Sequence, residues 1–136
     1  MYYKFKMSYE LSYTHEPDYL HIQATGIRTV ENLIAVAIDF LTESDKHGYR
    51  KILVDYRGMT GGLKIIDLYT VGTKNLSELW RTISHPKVSV IDWEDNRERF
   101  EFMENVAVNV GVNLRMFTDV DEAMEWLGVS KTPVSE

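Results

Sequence analysis

Cysteine is absent from the 136 residues, and that absence removes several kinds of chemistry at once. Disulfides, thiolate nucleophiles and Cys-ligated zinc or iron–sulfur sites are all excluded. Positive charge is in the minority: 15 Lys and Arg stand against 21 Asp and Glu, a formal net charge of -6. A general nucleic-acid binder needs clustered cations to neutralise phosphates, so this balance argues against that class, and against attraction to an anionic membrane surface. Long apolar runs are missing too. The longest, Leu33–Ile38, stops at Asp39, far short of a bilayer span. The opening MYYKFKMSYE lacks the apolar stretch of a secretory leader, so the expectation is a cytoplasmic protein.

What is present suits a folded chain. Hydrophobic residues make up 44%, enough for one sizeable core and too many for disorder. The expected division is one α/β domain over residues 1–128 and a frayed tail over residues 129–136, where Pro133 and small polar residues collect.

Hydrophobic spacing supplies the elements. Phe5, Met7, Tyr9, Leu11 and Tyr13 alternate with polar residues, a period of two that predicts a strand with one buried face. A turn at His15-Glu16-Pro17-Asp18 leads to a second alternating strand, Leu20, Ile22 and Ala24, ended by Gly26. Thr29 is the expected N-cap of a helix that buries Val30, Leu33, Ile34, Ala37, Ile38 and Leu41 and closes at Lys46-His47-Gly48. Lys51–Tyr56 reads as a buried strand. Leu63–Ile83 has helical spacing with Gly72 inside it, a candidate kink, and Pro86 stops it.

A short strand with Val88, Val90 and Ile91 follows and ends at Asp92-Trp93. Arg97–Asn109 is the next helix, with Phe100, Met103, Val106, Ala107 and Val110 inward. Val112, Leu114, Met116 and Phe117 form the last strand. Thr118 offers a hydroxyl cap to a final helix through Ala123–Leu127, which Gly128 ends. The order is β-β-α-β-α-β-α-β-α: a β-hairpin followed by βα units, hence a mostly parallel sheet with an antiparallel edge strand.

In open α/β sheets, ligands and partners meet the protein at the carboxyl ends of the strands. Two stretches lie there. The first is the expected loop Asp55-Tyr56-Arg57-Gly58-Met59-Thr60-Gly61-Gly62. If Thr60 opens a helix, its hydroxyl and the free N–H groups beside it form a place for an anion or a phosphate, with Arg57 nearby. The plainer reading makes Thr60 an N-cap and gives Gly58, Gly61 and Gly62 positive φ or close backbone approach. The second stretch is Asp92-Trp93-Glu94-Asp95, whose carboxylates either join Asp55 to bind a cation or act as acid and base, or simply start the following helix.

His15, His21, His47 and His85 fall in a turn, an outward strand position, a helix end and a pre-proline loop. No pair has His-x-x-x-His spacing, so no metal is expected. No Gly-x-Ser-x-Gly nucleophile motif is present. The 8 tyrosines and 3 tryptophans are too many all to be buried, and the Met7/Tyr9/Leu11/Tyr13 row is either core or an interaction patch on the edge hairpin.

KILVDYRGMTG before a helix, and the ending VNLRMFTDVDEAMEWL, resemble the STAS-like superfamily. It includes bacterial anti-sigma-factor antagonists, the cytoplasmic domains of sulfate transporters, and small stand-alone SpoIIAA-like bacterial proteins. In the antagonists a Ser or Thr in an Asp-Ser-Gly-like motif is phosphorylated. Thr60-Gly61 is the nearest match here, with Met59 where the acid would stand, and Asp55 resembles the acidic residue before that loop. The resemblance implies a non-enzymatic regulatory or protein-interaction domain, with no cofactor, a protein partner and room for a homodimer. The alternative it implies is a carrier or sensor of a small apolar or lipid-like ligand, held between the sheet and the Leu63–Ile83 helix. The candidate binding or regulatory residues are Asp55, Arg57, Gly58, Thr60, Gly61, Gly62 and Asp92.

Overall fold

The computed structural model describes residues 9–62, 64, 85–109 and 111–130. The expected Leu63–Ile83 helix with Gly72, the start of the first strand and residues 131–136 lie outside them.

Among the described residues, five strands form one sheet in the order β1-β2-β3-β4-β5: β1 (Tyr9–His15), β2 (Leu20–Ile27), β3 (Lys51–Thr60), β4 (Lys87–Ile91) and β5 (Leu114–Phe117). β1 and β2 are an antiparallel hairpin, and the other neighbours are parallel. The alternation read from the sequence therefore places β1 at the antiparallel edge. Tyr9, Leu11 and Tyr13 are half-buried against the core, while Glu10, Ser12 and Thr14 face solvent.

Strand parity divides the core between two faces. One carries Leu20, Ile22, Ala24, Ile52, Val54, Val88 and Val90 and packs on helix α1 (Val30–Lys46) and on Ala107 of helix α2 (Arg97–Asn109). The other carries Leu53 and Ile91 under helix α3 (Val120–Leu127), which contributes Ala123, Met124 and Leu127. The Ser89 hydroxyl, wholly buried on that face, donates to Ala123 O at 2.9 Å, so the polar side chain is satisfied where it is enclosed.

Helix ends follow local chemistry. Thr29 caps α1 by accepting from Asn32 N at 3.0 Å, and Gly48 leaves it at φ +73. α3 differs by one residue from expectation: Asp119, not Thr118, caps it, accepting from Asp121 N at 2.9 Å. Phe117 O still accepts Asp92 N at 3.0 Å, so the chain is held to the sheet until Thr118 and turns into the helix one step later. Val129, placed in the tail by its composition, is buried beside Met124 and Leu127, and its N–H donates to Met124 O at 3.1 Å.

The largest difference is in β3. It does not end at Tyr56 but runs on to Thr60, paired with β2 through Gly26↔Met59 and Ile27↔Thr60. Between Gln23↔Asp55 and Thr25↔Gly58 the register slips by one residue, a β-bulge in β3. The bulge restores parity. Val54 and Tyr56 lie toward the α1 face, and without it Gly58 would follow them there and Met59 would point away. With it, Met59 is buried in the same cluster as Val54.

Candidate functional site

The carboxyl ends of β2, β3 and β4 lie side by side and carry most of the residues singled out by sequence. Two of these carboxylates are each held by one arginine.

Asp55 is gripped locally. Its Oδ1 accepts from Arg57 N at 2.9 Å and from Arg57 Nε at 2.9 Å, and its Oδ2 from Arg57 Nη2 at 2.7 Å. The bulge makes this geometry, because it lets residue 57 turn back on residue 55. Burial alone would raise the Asp55 pKa, but the hydrogen bonds and charge of Arg57 outweigh it and hold the carboxyl below its ordinary range.

Asp92 is gripped from afar. Its Oδ1 accepts from Arg28 Nη2 at 2.8 Å, from Trp93 N at 2.7 Å and from Asn96 Nδ2 at 3.2 Å. Its Oδ2 faces Arg28 Nη1 at 2.6 Å without the alignment of a hydrogen bond, so the charge contact is what offsets its burial. Arg28 has further partners: Nε donates to Met59 O at 3.1 Å and Nη2 to Tyr56 O at 3.1 Å. The bulge leaves the Tyr56 carbonyl free of the β2 ladder for this purpose. Arg28 thus ties the ends of β2, β3 and β4 together, and its backbone N–H adds a bond to Thr60 O at 2.8 Å.

The expected carboxylate cluster does not assemble. Asp55 and Asp92 sit on different arginines, and Glu94 turns outward to Arg97 in a (i, i+3) pair. Glu94 and Asp95 do what the plainer reading gave them: they occupy a 3₁₀ turn, Glu94–Asn96, that leads into α2.

Thr60 is corrected as well. It is the last residue of β3 rather than a helix N-cap, and its hydroxyl donates to Gly26 O at 3.3 Å. Pairing with β2 claims the residue that sequence gave to a helix start. Gly61 has φ +86, as a turn leaving the strand requires. A Cβ on Gly62 would lie 3.2 Å from the Arg99 guanidinium carbon, so that glycine packs beneath a side chain. Gly58 is fixed by close approach: a Cβ there would lie 2.7 Å from Thr25 Cγ2 and 2.9 Å from Ala24 O.

One residue at this edge is conspicuous by exposure. Trp93 is 54% exposed although its side chain makes two polar contacts. Its Nε1 donates to Arg57 O at 2.9 Å, and the Arg57 guanidinium lies 5.5 Å from the ring centroid. Ile27, at the end of β2, is 52% exposed. The Arg28–Asp92 contact brings the chain neighbours of both residues together, so Ile27 and Trp93 flank the same edge. Beside it, on the sheet face that carries Asp55, lies a cleft of about 320 Å³ lined by Glu10, Ser12, Gln23, Thr25 and Asp55, with Leu11, Ala24 and Gly58.

Arg28 and Ile27 were not among the residues chosen by sequence. The available signal was Arg28 between a strand and a capped helix, where nothing local explains a cation.

The sheet order, the leading hairpin and the interleaved helices define a STAS-like α/β fold, of the SpoIIAA-like kind. The chain is similar to an anti-sigma factor antagonist from Mycobacterium paratuberculosis, with a TM-score of 0.56, 11% identity, and coverage of 93% of this chain and 99% of that one. It is similar also to an uncharacterised DUF3478-family protein with a SpoIIAA-like fold from Shewanella loihica PV-4, with a TM-score of 0.53, 15% identity, and the same coverage of 93% and 99%. No family model matches the chain, and no curated protein does.

Proposed function

We propose that this protein is a non-enzymatic regulatory domain that binds another protein through the carboxyl edge of its parallel sheet, around Ile27, Arg57, Thr60, Gly61, Gly62 and Trp93. The observation that carries the reading is Trp93: a large aromatic held in one orientation by Arg57 and left half in water. Such a side chain loses little conformational freedom on binding and offers a large apolar area, the properties of an interface anchor. Arg57 is braced by Asp55 and in turn braces the ring, so Asp55 acts on the surface through Arg57. Both carboxylates at this edge are matched by arginines, which leaves them as supports rather than as an acid–base pair. The fold is shared with an anti-sigma factor antagonist, which supports a protein as the ligand.

The partner would present an apolar side chain to Trp93 and Ile27. Affinity capture from the source cells, with mass spectrometry of the retained proteins, tests this. A partner held by the native chain and by a Val108→Ser control, which alters another exposed apolar residue on α2, is expected to be lost from Trp93→Ala. A partner retained undiminished by Trp93→Ala moves the interface elsewhere.

A further inference from the structure

We infer that the opposite edge of the molecule carries a divalent transition-metal site, built from His15, Glu43 and His47 and suited to Zn²⁺. The three residues come from two elements. His15 ends β1, where the antiparallel hairpin returns to the amino edge of the parallel strands. Glu43 and His47 are one helical turn apart at the carboxyl end of α1, spacing that puts both on one face. Neither pair has the spacing of two histidines on one helix, which is why the site is invisible until β1 is set beside α1.

The ligand atoms converge. His15 Nε2 and His47 Nε2 each lie 3.1 Å from the same Glu43 oxygen, Oε2. All three ligand atoms fall within 4.8 Å of one another. Zinc held at about 2.0–2.2 Å from nitrogen and oxygen ligands sets neighbouring ligands about 3.2–3.6 Å apart in a tetrahedron. Small rotations of exposed side chains therefore suffice to admit the ion between them. The donor set is two imidazoles and one carboxylate, the mixture that binds Zn²⁺ and Ni²⁺ rather than Ca²⁺ or Mg²⁺.

The arrangement is also partly held in advance. The His15 ring stacks on Tyr49, with centroids 5.9 Å apart, and on Tyr13 at 6.4 Å. Tyr49 is itself anchored, its hydroxyl donating to Glu16 O at 2.8 Å. The His15 and His47 rings meet edge-on with centroids 4.9 Å apart. Both histidine side chains are over two-fifths exposed, at 43% and 42%, so an ion reaches them from solvent and keeps a position for water. With three protein ligands, the occupied site would pin the hairpin to the end of α1 and add to the stability of the folded chain by mass action.

Titration calorimetry with ZnCl₂ on the untagged protein, together with the visible spectrum after loading with Co²⁺, provides the test. The expected result is binding at 1:1 stoichiometry and a tetrahedral-type Co²⁺ spectrum. His15→Ala and His47→Ala should each weaken Zn²⁺ binding by at least about tenfold, and Glu43→Gln should weaken it as well. His21→Ala and His85→Ala should leave it unchanged. The three site residues are exposed or half-exposed, and circular dichroism of each variant verifies that it is folded. Absence of binding by the native chain up to millimolar Zn²⁺, or unchanged affinity in a folded His15→Ala/His47→Ala double variant, overturns the site.

Discussion

The ends of β3 and β4 carry two aspartates, each held by one arginine, and the two pairs differ in nearly every other respect. Asp92 is wholly buried and its partner Arg28 is only 10% exposed. Asp55 is 9% exposed and its partner Arg57 is 34% exposed. Residues 28 and 92 are 64 positions apart in the chain, and residues 55 and 57 are 2 apart. The distant pair joins three strand ends and is hidden from partners. The local pair orders a short stretch of one strand and supports the exposed Trp93. The deeper pair is thus a structural tie, while the shallower one shapes a surface, although the two carboxylates look equivalent in sequence.

If that contrast is right, breaking the distant pair has the largest effect. Arg28→Met strands a carboxylate among buried atoms, and loss of one member of a buried ion pair costs about 3–5 kcal/mol. Urea unfolding should show a loss of that order. Removing both charges, in Arg28→Met/Asp92→Leu, should recover a substantial part of it, since no unpaired charge then remains. A single Arg28→Met protein as stable as the native chain would mean that Asp92 finds another cation or water, and the two pairs would then be equivalent.

The bulge that both pairs exploit is open to a smaller test. Gly58→Ala would drive a methyl group into Ala24 O and Thr25 Cγ2, contacts that cannot persist without a backbone shift. Overpacking of this kind costs about 1–3 kcal/mol. The shift would disturb Arg57 before Arg28, so Trp93 fluorescence should change along with stability. A Gly58→Ala protein of native stability and native Trp93 emission would show that β2 and β3 yield at Gly58 without cost.

Element types were largely legible because each depends on a local pattern. The alternation of β1 and β2, the helix behind Thr29 and the Gly128 stop all reappear in the structure, although Ile38, given to the buried face of α1, is 45% exposed while Val36 and Phe40 are buried. What was not legible depends on partners distant in sequence. Gly58, Thr60, Gly61 and Gly62 have the composition of a loop, yet β2 lies alongside and keeps residues 57–60 in the sheet. The one contrary sign was Met59, an apolar residue in a supposed loop, which proves to be 3% exposed. Asp92 was recognised as a site residue, but its role was not, because Arg28 lies 64 positions away in the chain. The convergence of His15 on Glu43 and His47 was hidden for the same reason.

The smallest expected effect lies in the pH dependence of the shallow pair. Loss of the Arg57 contact through Asp55→Asn should cost only about 0.5–1 kcal/mol at neutral pH, because Arg57 is partly in water. The sign of the pH dependence follows from the direction of the shift. The Asp55 pKa is lower in the folded chain, so the unfolded chain binds protons first on acidification. The stabilisation is complete above about pH 3.9, the unfolded value, and disappears as pH falls through the folded one. The native chain and Asp55→Asn should therefore converge in stability below about pH 4.

His21 lies near enough to feel the same carboxylate. Burial lowers its pKa, and Asp55 opposes that shift. Its contribution is complete above about pH 6.5 and is lost as pH falls through its lowered folded value. Asp55→Asn should move the His21 titration, followed by NMR, to still lower pH, because the opposing negative charge is gone. A His21 titration that stays in place would show that Arg57 screens Asp55 from its surroundings entirely. The shallow pair would then resemble the deep one electrostatically despite its exposure.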